Sequence, residues 1–113
     1  MSYEPRFNRY PVEYWFNLRM QGNDEERWNA VDAIRHVCEP TISVPLMLDT
    51  IEKDSYSRAR GLAAHALYDL AVDSPEQIPS EAFPRIIAAL NDSDAGVRSQ
   101  VEALLKELNR GES

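Results

Sequence analysis

The residues best equipped for chemistry are the two histidines and the single cysteine. His36 and Cys38 stand close together beside Glu39, whereas His65 lies in a different part of the chain. A catalytic nucleophile needs a base within hydrogen-bond reach, and a zinc site needs three or four ligands. Neighbouring side chains at the end of a helix point in different directions, and no further Cys or His supplies the missing ligands. We therefore expect no catalytic residue, no metal site and no cofactor.

Three arginines recur in a pattern that points to repeated structure. Arg27, Arg60 and Arg98 are separated by 33 and 38 residues, and apolar residues follow each of them three, seven and ten positions later. Those residues are Ala30, Ile34, Val37, Ala63, Leu67, Leu70, Val101, Leu105 and Leu108. Such spacing places one apolar stripe along an α-helix, whereas a strand would alternate. The arginines therefore mark three equivalent helices in an internal repeat.

A second apolar stretch precedes each arginine-bearing helix, which gives three helical hairpins. The spacing predicts helices near 11–20, 24–37, 42–53, 56–72, 81–91 and 95–109, with no sheet. The repeats then cover about 11–38, 41–73 and 80–109. One hairpin cannot bury its apolar face alone, but three stacked hairpins can. The predicted N-caps are Thr41, Ser55, Ser80 and Asp94.

The turn and second helix of these repeats resemble a known family. A helix ending in Leu or Ile, a turn with an aspartate, and a helix opening as in Ala59-Arg60 or Val97-Arg98 are similar to the short HEAT repeats of phycobilisome-lyase-like HEAT proteins. The resemblance covers about residues 11–109. It implies an all-α, right-handed α-α superhelix, a HEAT-like solenoid of six helices in three hairpins that forms one domain over 1–113. Because the family includes scaffolds, regulators and a few enzymes, the resemblance implies little about function.

The resemblance also implies a ladder of ion pairs. In the family a turn aspartate and the arginine six residues later link neighbouring repeats, which here gives Asp54 with Arg60 and Asp92 with Arg98 as structural residues. Each arginine should reach the turn aspartate of its own or the adjoining repeat, because a cation near a helix start is unfavourable without a carboxylate. In the first repeat Gln21 stands in the aspartate's place, so we expect the ladder to stop there. The alternative interpretation is that the arginines form an anion site.

A further stripe on the second helices is the candidate binding site. Residues one, five and eight positions after each arginine lie beside the core stripe. In HEAT-like stacks the second helices line the concave surface, where Gly61, Ser99 and Ala103 would leave room for a partner. Because Trp, Tyr and Arg are enriched at binding hot spots, we expect a partly exposed partner-binding ridge. Its candidate residues are Trp28, Asp32, Arg35, His65, Tyr68 and Lys106. The alternative is that the aromatic residues only pack against neighbouring helices.

The N-terminal segment is rich in aromatic residues. Six of the ten aromatics precede residue 17, namely Tyr3, Phe7, Tyr10, Tyr14, Trp15 and Phe16. The end of a solenoid exposes an apolar flank that must be covered. We therefore expect residues 1–10 to cap the stack, with an aromatic docking patch or a dimer contact as the alternative. The chain is expected to be a monomer or a weak dimer.

Charge and hydropathy narrow the classes of partner. The net charge of −7 repels phosphates, which argues against nucleic acid and anionic membrane as partners. No apolar run approaches the ~20 residues of a membrane span, and the N-terminus shows no hydrophobic signal core. A lone cysteine is compatible with a reducing cytosol. The expected location is therefore cytoplasmic.

These features favour a non-catalytic protein–protein interaction module, an adaptor or regulator that binds a protein partner through its second helices. The runner-up is a small acidic neutralising partner, of the immunity or antitoxin kind, that covers a basic protein's active site. The net charge favours it because complementary charge speeds encounter. A HEAT-like enzyme comes third, since the HEAT-like family that removes damaged DNA bases is larger and basic along its concave face.

Overall fold

The structure, a computed structural model, describes residues 10–110. Residues 1–9 and 111–113 lie outside that description, and most of the predicted N-terminal cap falls there. Within residues 10–110 the chain is all-α and contains no strand. Its six α-helices are α1 (Val12–Gln21), α2 (Asp24–Val37), α3 (Pro40–Lys53), α4 (Ser57–Asp73), α5 (Phe83–Ala88) and α6 (Ala95–Arg110).

Local chemistry explains where several helices begin. The side-chain oxygen of Asn23 accepts from the amide of Glu26, and the Glu26 carboxylate accepts from the amide of Asn23, each at 2.9 Å. This capping box satisfies two amides at the start of α2. Asp94 likewise accepts from the amide of Val97 at 3.0 Å at the start of α6. Pro40 opens α3, where its missing N–H would have had no helical partner.

Three of the four predicted N-caps are wrong, and only Asp94 is confirmed. Thr41 lies inside the first turn of α3, because that helix begins one residue earlier. Ser55 precedes the actual N-cap of α4, Tyr56, whose amide donates to the carboxylate of Asp54 at 2.9 Å. Ser80 opens a 3-10 turn and makes no side-chain cap.

The helix predicted over 81–91 is broken into three short elements. A 3-10 turn, Ser80–Ala82, precedes α5, and a second 3-10 turn, Ala89–Asn91, follows it. Pro84 has no amide hydrogen and so cannot donate to the carbonyl four residues earlier. The amide of Phe83 donates to that carbonyl instead, which closes a tighter turn. The regular α-helix is therefore limited to six residues.

Successive helices pack as three pairs. α1 packs against α2, α3 against α4, and the end of the α5 segment against α6. The second members also pack on one another, α2 on α4 and α4 on α6. The described chain measures 41 × 32 × 22 Å, and its shortest dimension accommodates two helix diameters of ~10–12 Å. The second helices therefore form one continuous layer.

The predicted apolar stripe lies largely in the core. Six of its nine residues are buried, whereas Val37, Leu70 and Leu105 are partly exposed. Ala30 and Ala63 are fully buried, which lets α2 and α4 approach closely. On α6 Val101 and Leu108 are buried as predicted, but the buried residue between them is Leu104 rather than its neighbour Leu105. Burial of this apolar surface, at ~25 cal/mol per Å², holds the layer of second helices together.

Within residues 10–110, no helix combines the length and apolar character that crossing a membrane requires.

Candidate functional site

Two arginines link consecutive helical pairs through their turns. Arg27 on α2 donates to the carboxylate of Asp54 from Nε at 3.1 Å and from Nη2 at 3.0 Å. Arg60 on α4 donates to Asp92 in the same way, from Nε at 2.9 Å and from Nη2 at 3.0 Å. The third group of Arg27, Nη1, donates to the carbonyl of Gly22 in its own turn at 2.9 Å. Each such arginine–aspartate pair is called a rung below.

The side-chain pairing of Asp54 with Arg60 and of Asp92 with Arg98 is wrong, whereas Arg60 reaches the turn aspartate of the adjoining repeat, which was the other expected arrangement. Arg60 Nη1 donates to the backbone carbonyl of Asp54 at 2.9 Å, and Arg98 Nη1 donates to that of Asp92 at 2.8 Å. The carboxylates themselves accept from the arginine of the preceding pair. The ladder also does not stop before the first pair as expected, because Arg27 supplies a rung. Each rung therefore runs from the arginine of one helical pair to the turn aspartate of the next pair.

The rungs are partly buried and electrostatically satisfied. The side chains of Arg60 and Asp92 are only 12% and 8% exposed. Burial by itself would raise the pKa of Asp92, but hydrogen bonds from Arg60 and from the amide of Asp94 outweigh it and lower that pKa. The hydrogen bond to Asp92 raises the pKa of Arg60. Because carboxylates already occupy these arginines, the ladder is structural and leaves no anion site at Arg27 or Arg60.

Part of the predicted ridge forms a polar network across the second helices. Arg35 on α2 lies 3.3 Å from Asp32 and 3.2 Å from Asp69 on α4. His65 Nε2 lies 3.4 Å from the same Asp69 carboxylate. Its Nδ1 lies 3.3 Å from the side-chain oxygen of Gln100 on α6. One chain of polar contacts therefore joins all three helical pairs.

Two aromatic residues of the predicted ridge lie near this network. The ring of Tyr68 stacks on His65 with centroids 6.0 Å apart. Tyr68 and Lys106 line a cleft of about 500 Å³ between α4 and α6. Trp28 lies one turn before the network on α2, with the guanidinium carbon of Arg58 5.9 Å from its ring centroid. Within the described residues, no side-chain hydrogen bond, ion pair or ring contact joins Trp28 to the polar network.

None of the six ridge residues is buried. Lys106 is exposed, and the other five are half-buried, as the sequence led us to expect. The room predicted at Gly61 belongs to a helix contact, since a Cβ there would meet a methyl group of Val97 on α6 at 3.9 Å. Ser99 is exposed and Ala103 half-buried. That this surface is concave stays a prediction.

Sequence reasoning missed two members of the network, Asp69 and Gln100. A signal for Asp69 was present, because it follows His65 by four residues and so shares its helix face. Gln100 carries no such signal. Its contact with His65 depends on how α6 packs against α4.

His36 and Cys38, the histidine and cysteine considered first, lie at the end of α2. His36 Nδ1 lies 2.8 Å from the backbone carbonyl of Asp32. Burial raises the pKa of the Cys38 thiol, which makes its nucleophilic thiolate scarcer. Both residues line a cleft of about 310 Å³ with Arg35 and Asp69. Across residues 10–110, no group of three or more His, Cys, Asp or Glu side chains is placed to hold a metal ion.

No family model matches the chain, and no curated protein or solved structure matches it.

Proposed function

We propose that the chain is a HEAT-like solenoid of three repeats, a right-handed α-α superhelix. Three features support this proposal. The helices pack as consecutive pairs, the second helices pack on one another, and equivalent arginines make equivalent rungs. In a solenoid each repeat is held mainly by its neighbours, and both rungs join only consecutive pairs.

The function of this solenoid is to bind a protein partner, as a non-catalytic adaptor or regulator. The observation that carries the proposal is the polar network from Asp32 to Gln100, which crosses three helices on an open surface. Side chains already ordered by one another lose little freedom on binding, so such a surface is preorganised for a partner. Trp28 and Tyr68, which lie near it, are of the residue types that most often anchor interfaces.

A basic partner that the protein neutralises is the second candidate. The chain carries a net charge of −7. Near the ridge, Asp73 and Glu102 are exposed and make no ion pair within the described residues. Carboxylates without a cation of their own attract a basic surface and speed its encounter.

Photo-crosslinking in the native cell tests the proposal. A photoreactive amino acid placed at Tyr68 or Lys106 would be compared with one at Ile87, an exposed apolar residue on the first-helix side. We expect one protein to be captured from the two ridge positions and not from the control position. Capture of that same protein with equal yield from Ile87, or from Ile87 alone, would place the binding surface elsewhere.

The captured protein then separates the two candidate functions. If the chain is an adaptor, the partner keeps its own activity when the purified proteins are mixed. If the chain is a neutraliser, the partner is a basic enzyme, and equimolar addition of the chain inhibits it. Stronger inhibition at low salt would support complementary charge, since screening weakens it.

A further inference from the structure

A cleft of about 320 Å³ lies away from the ridge, where the ends of α1 and α3 meet the start of α2. Arg19 and Lys53 are among its lining residues, together with Thr50 and Ser55. Neither the ladder nor the polar network of the ridge involves Arg19 or Lys53. The proposed function therefore assigns no role to these two cationic side chains.

Among residues 10–110, Arg19 is a cation without a carboxylate partner. It is half-buried, and its Nε is fully buried with no hydrogen-bond acceptor. Nη1 donates to the hydroxyl of Thr50 at 3.3 Å, and Nη2 lies 3.4 Å from the sulfur of Met20. Neither acceptor carries charge. A buried donor without an acceptor is costly and uncommon in folded proteins, so this arginine lacks the partner that its position requires.

At the equivalent contact between α3 and α5, the arginine has carboxylate partners. There Arg85 donates to Glu52 at 2.7 Å and to Asp49 at 2.8 Å. When the first-helix segments are aligned on Leu18, Ile51 and Leu90, Arg19 occupies the position of Glu52 and Leu46 occupies that of Arg85. At the contact between α1 and α3 the residue in Glu52's position is therefore a cation, and the residue in Arg85's position, Leu46, carries no opposite charge.

The two carboxylates that border the cleft are already engaged. Asp54 accepts from Arg27, and Asp49 accepts from Arg85. Lys53 makes no ion pair within the described residues. The cleft thus holds two cations that make no ion pair among the described residues, Arg19 and Lys53, in a protein whose net charge is −7.

We propose that this cleft binds a small oxyanion, a carboxylate or a phosphate group, between Arg19 and Lys53. The Nη groups of Arg19 supply charged N–H donors at the cleft, and Lys53 adds a compact positive charge. The hydroxyl oxygen of Ser55 accepts from Arg27 at 3.4 Å, which leaves its O–H free to donate. Thr50 holds the arginine in place from its other side.

The test uses the wild-type protein and NMR of arginine side chains. Sodium phosphate and sodium acetate are titrated separately against sodium chloride at equal ionic strength. We expect the Nε–H signal of Arg19 to shift and saturate with at least one of the two anions. A response to phosphate alone identifies a phosphate ligand, and a response to acetate identifies a carboxylate. An Arg19 signal that neither anion moves would overturn the proposal.

Variants provide the second measurement. Arg19→Gln should weaken anion binding by about tenfold or more, because it removes a positive charge and its charge-assisted hydrogen bonds. Arg98→Gln is the matched control, since Arg98 also makes no ion pair within the part of the chain that the structure describes but lies in another turn. Its anion affinity should equal that of the wild type. Equal affinities in all three proteins, or equal losses in both variants, would show that the anions bind without this cleft.

Discussion

Replacing Arg60 with methionine removes one rung while it keeps most of the aliphatic stem. The change deletes two hydrogen bonds to Asp92, at 2.9 and 3.0 Å, and one to the carbonyl of Asp54, at 2.9 Å. It also leaves Asp92, whose side chain is 8% exposed, with only the amide of Asp94 as a donor.

The expected loss of stability is larger than that of a surface ion pair. Removing one partner of a buried pair costs ~3–5 kcal/mol, whereas an exposed pair contributes ~0–1 kcal/mol. Because Asp92 keeps one hydrogen bond and a little contact with water, we expect a loss of about 2–4 kcal/mol. For a domain of this size that corresponds to a fall in Tm of ~8–16 °C.

Arg98→Met is the matched control for this experiment. Arg98 holds the same position in its helix and donates to the carbonyl of Asp92, but it has no carboxylate of a following pair. Its replacement should cost about 1 kcal/mol, the typical worth of one hydrogen bond. Urea unfolding followed by circular dichroism at 222 nm, a standard helix wavelength, measures both variants. Equal losses for Arg60→Met and Arg98→Met would refute the rung.

Three further predictions concern stability. Because the pKa of Asp92 is lowered from its ordinary value of 3.8, its contribution is present above that value and is lost as the pH falls through the lower folded pKa. The stability gap between the wild type and Arg60→Met should therefore narrow as the pH falls from about 5 into the acid range, in urea titrations. A gap that stays constant would contradict this linkage. Gly61→Ala should raise stability by ~0.5–1 kcal/mol, since the added methyl group meets only an ordinary contact and alanine favours the helix. Gly22→Ala should destabilise by ~1–3 kcal/mol, because its Cβ would lie 2.7 Å from the carbonyl oxygen of Leu18. The Tm values of the two glycine variants should move in opposite directions from that of the wild type. If both moved in the same direction, the surroundings assigned to one of the glycines would be wrong.

The helices could be predicted from the sequence because their cause is local. Apolar spacing identified all six helical segments in residues 10–110, and the buried stripe on α2 and α4 follows it. The break around α5 could be predicted only in part from the sequence. Pro84 indicated a disturbance, but whether the helix tilts or shortens depends on packing against α6.

The contacts between pairs could not be predicted in the same way. An arginine near a helix start needs a carboxylate, but two turn aspartates lie within plausible reach of Arg60. The choice of Asp92 over Asp54 depends on how the second pair stacks on the third. That Arg19 has no carboxylate partner among the described residues could not be predicted for the same reason, because nothing in the local sequence distinguishes Arg19 from a solvated arginine.

The affinity of the captured partner for ridge variants tests the central claim most directly. Trp28→Ala and Tyr68→Ala would be compared with Ile87→Ala, which removes an exposed apolar side chain from a first helix. Calorimetric titration should show a loss of about 2 kcal/mol or more in at least one ridge variant, as expected of a hot spot. The Ile87 variant should bind as the wild type does, and circular dichroism should show equal helicity in all proteins. Wild-type affinity in both ridge variants, with the fold intact, would contradict the proposal that the second helices bind the partner.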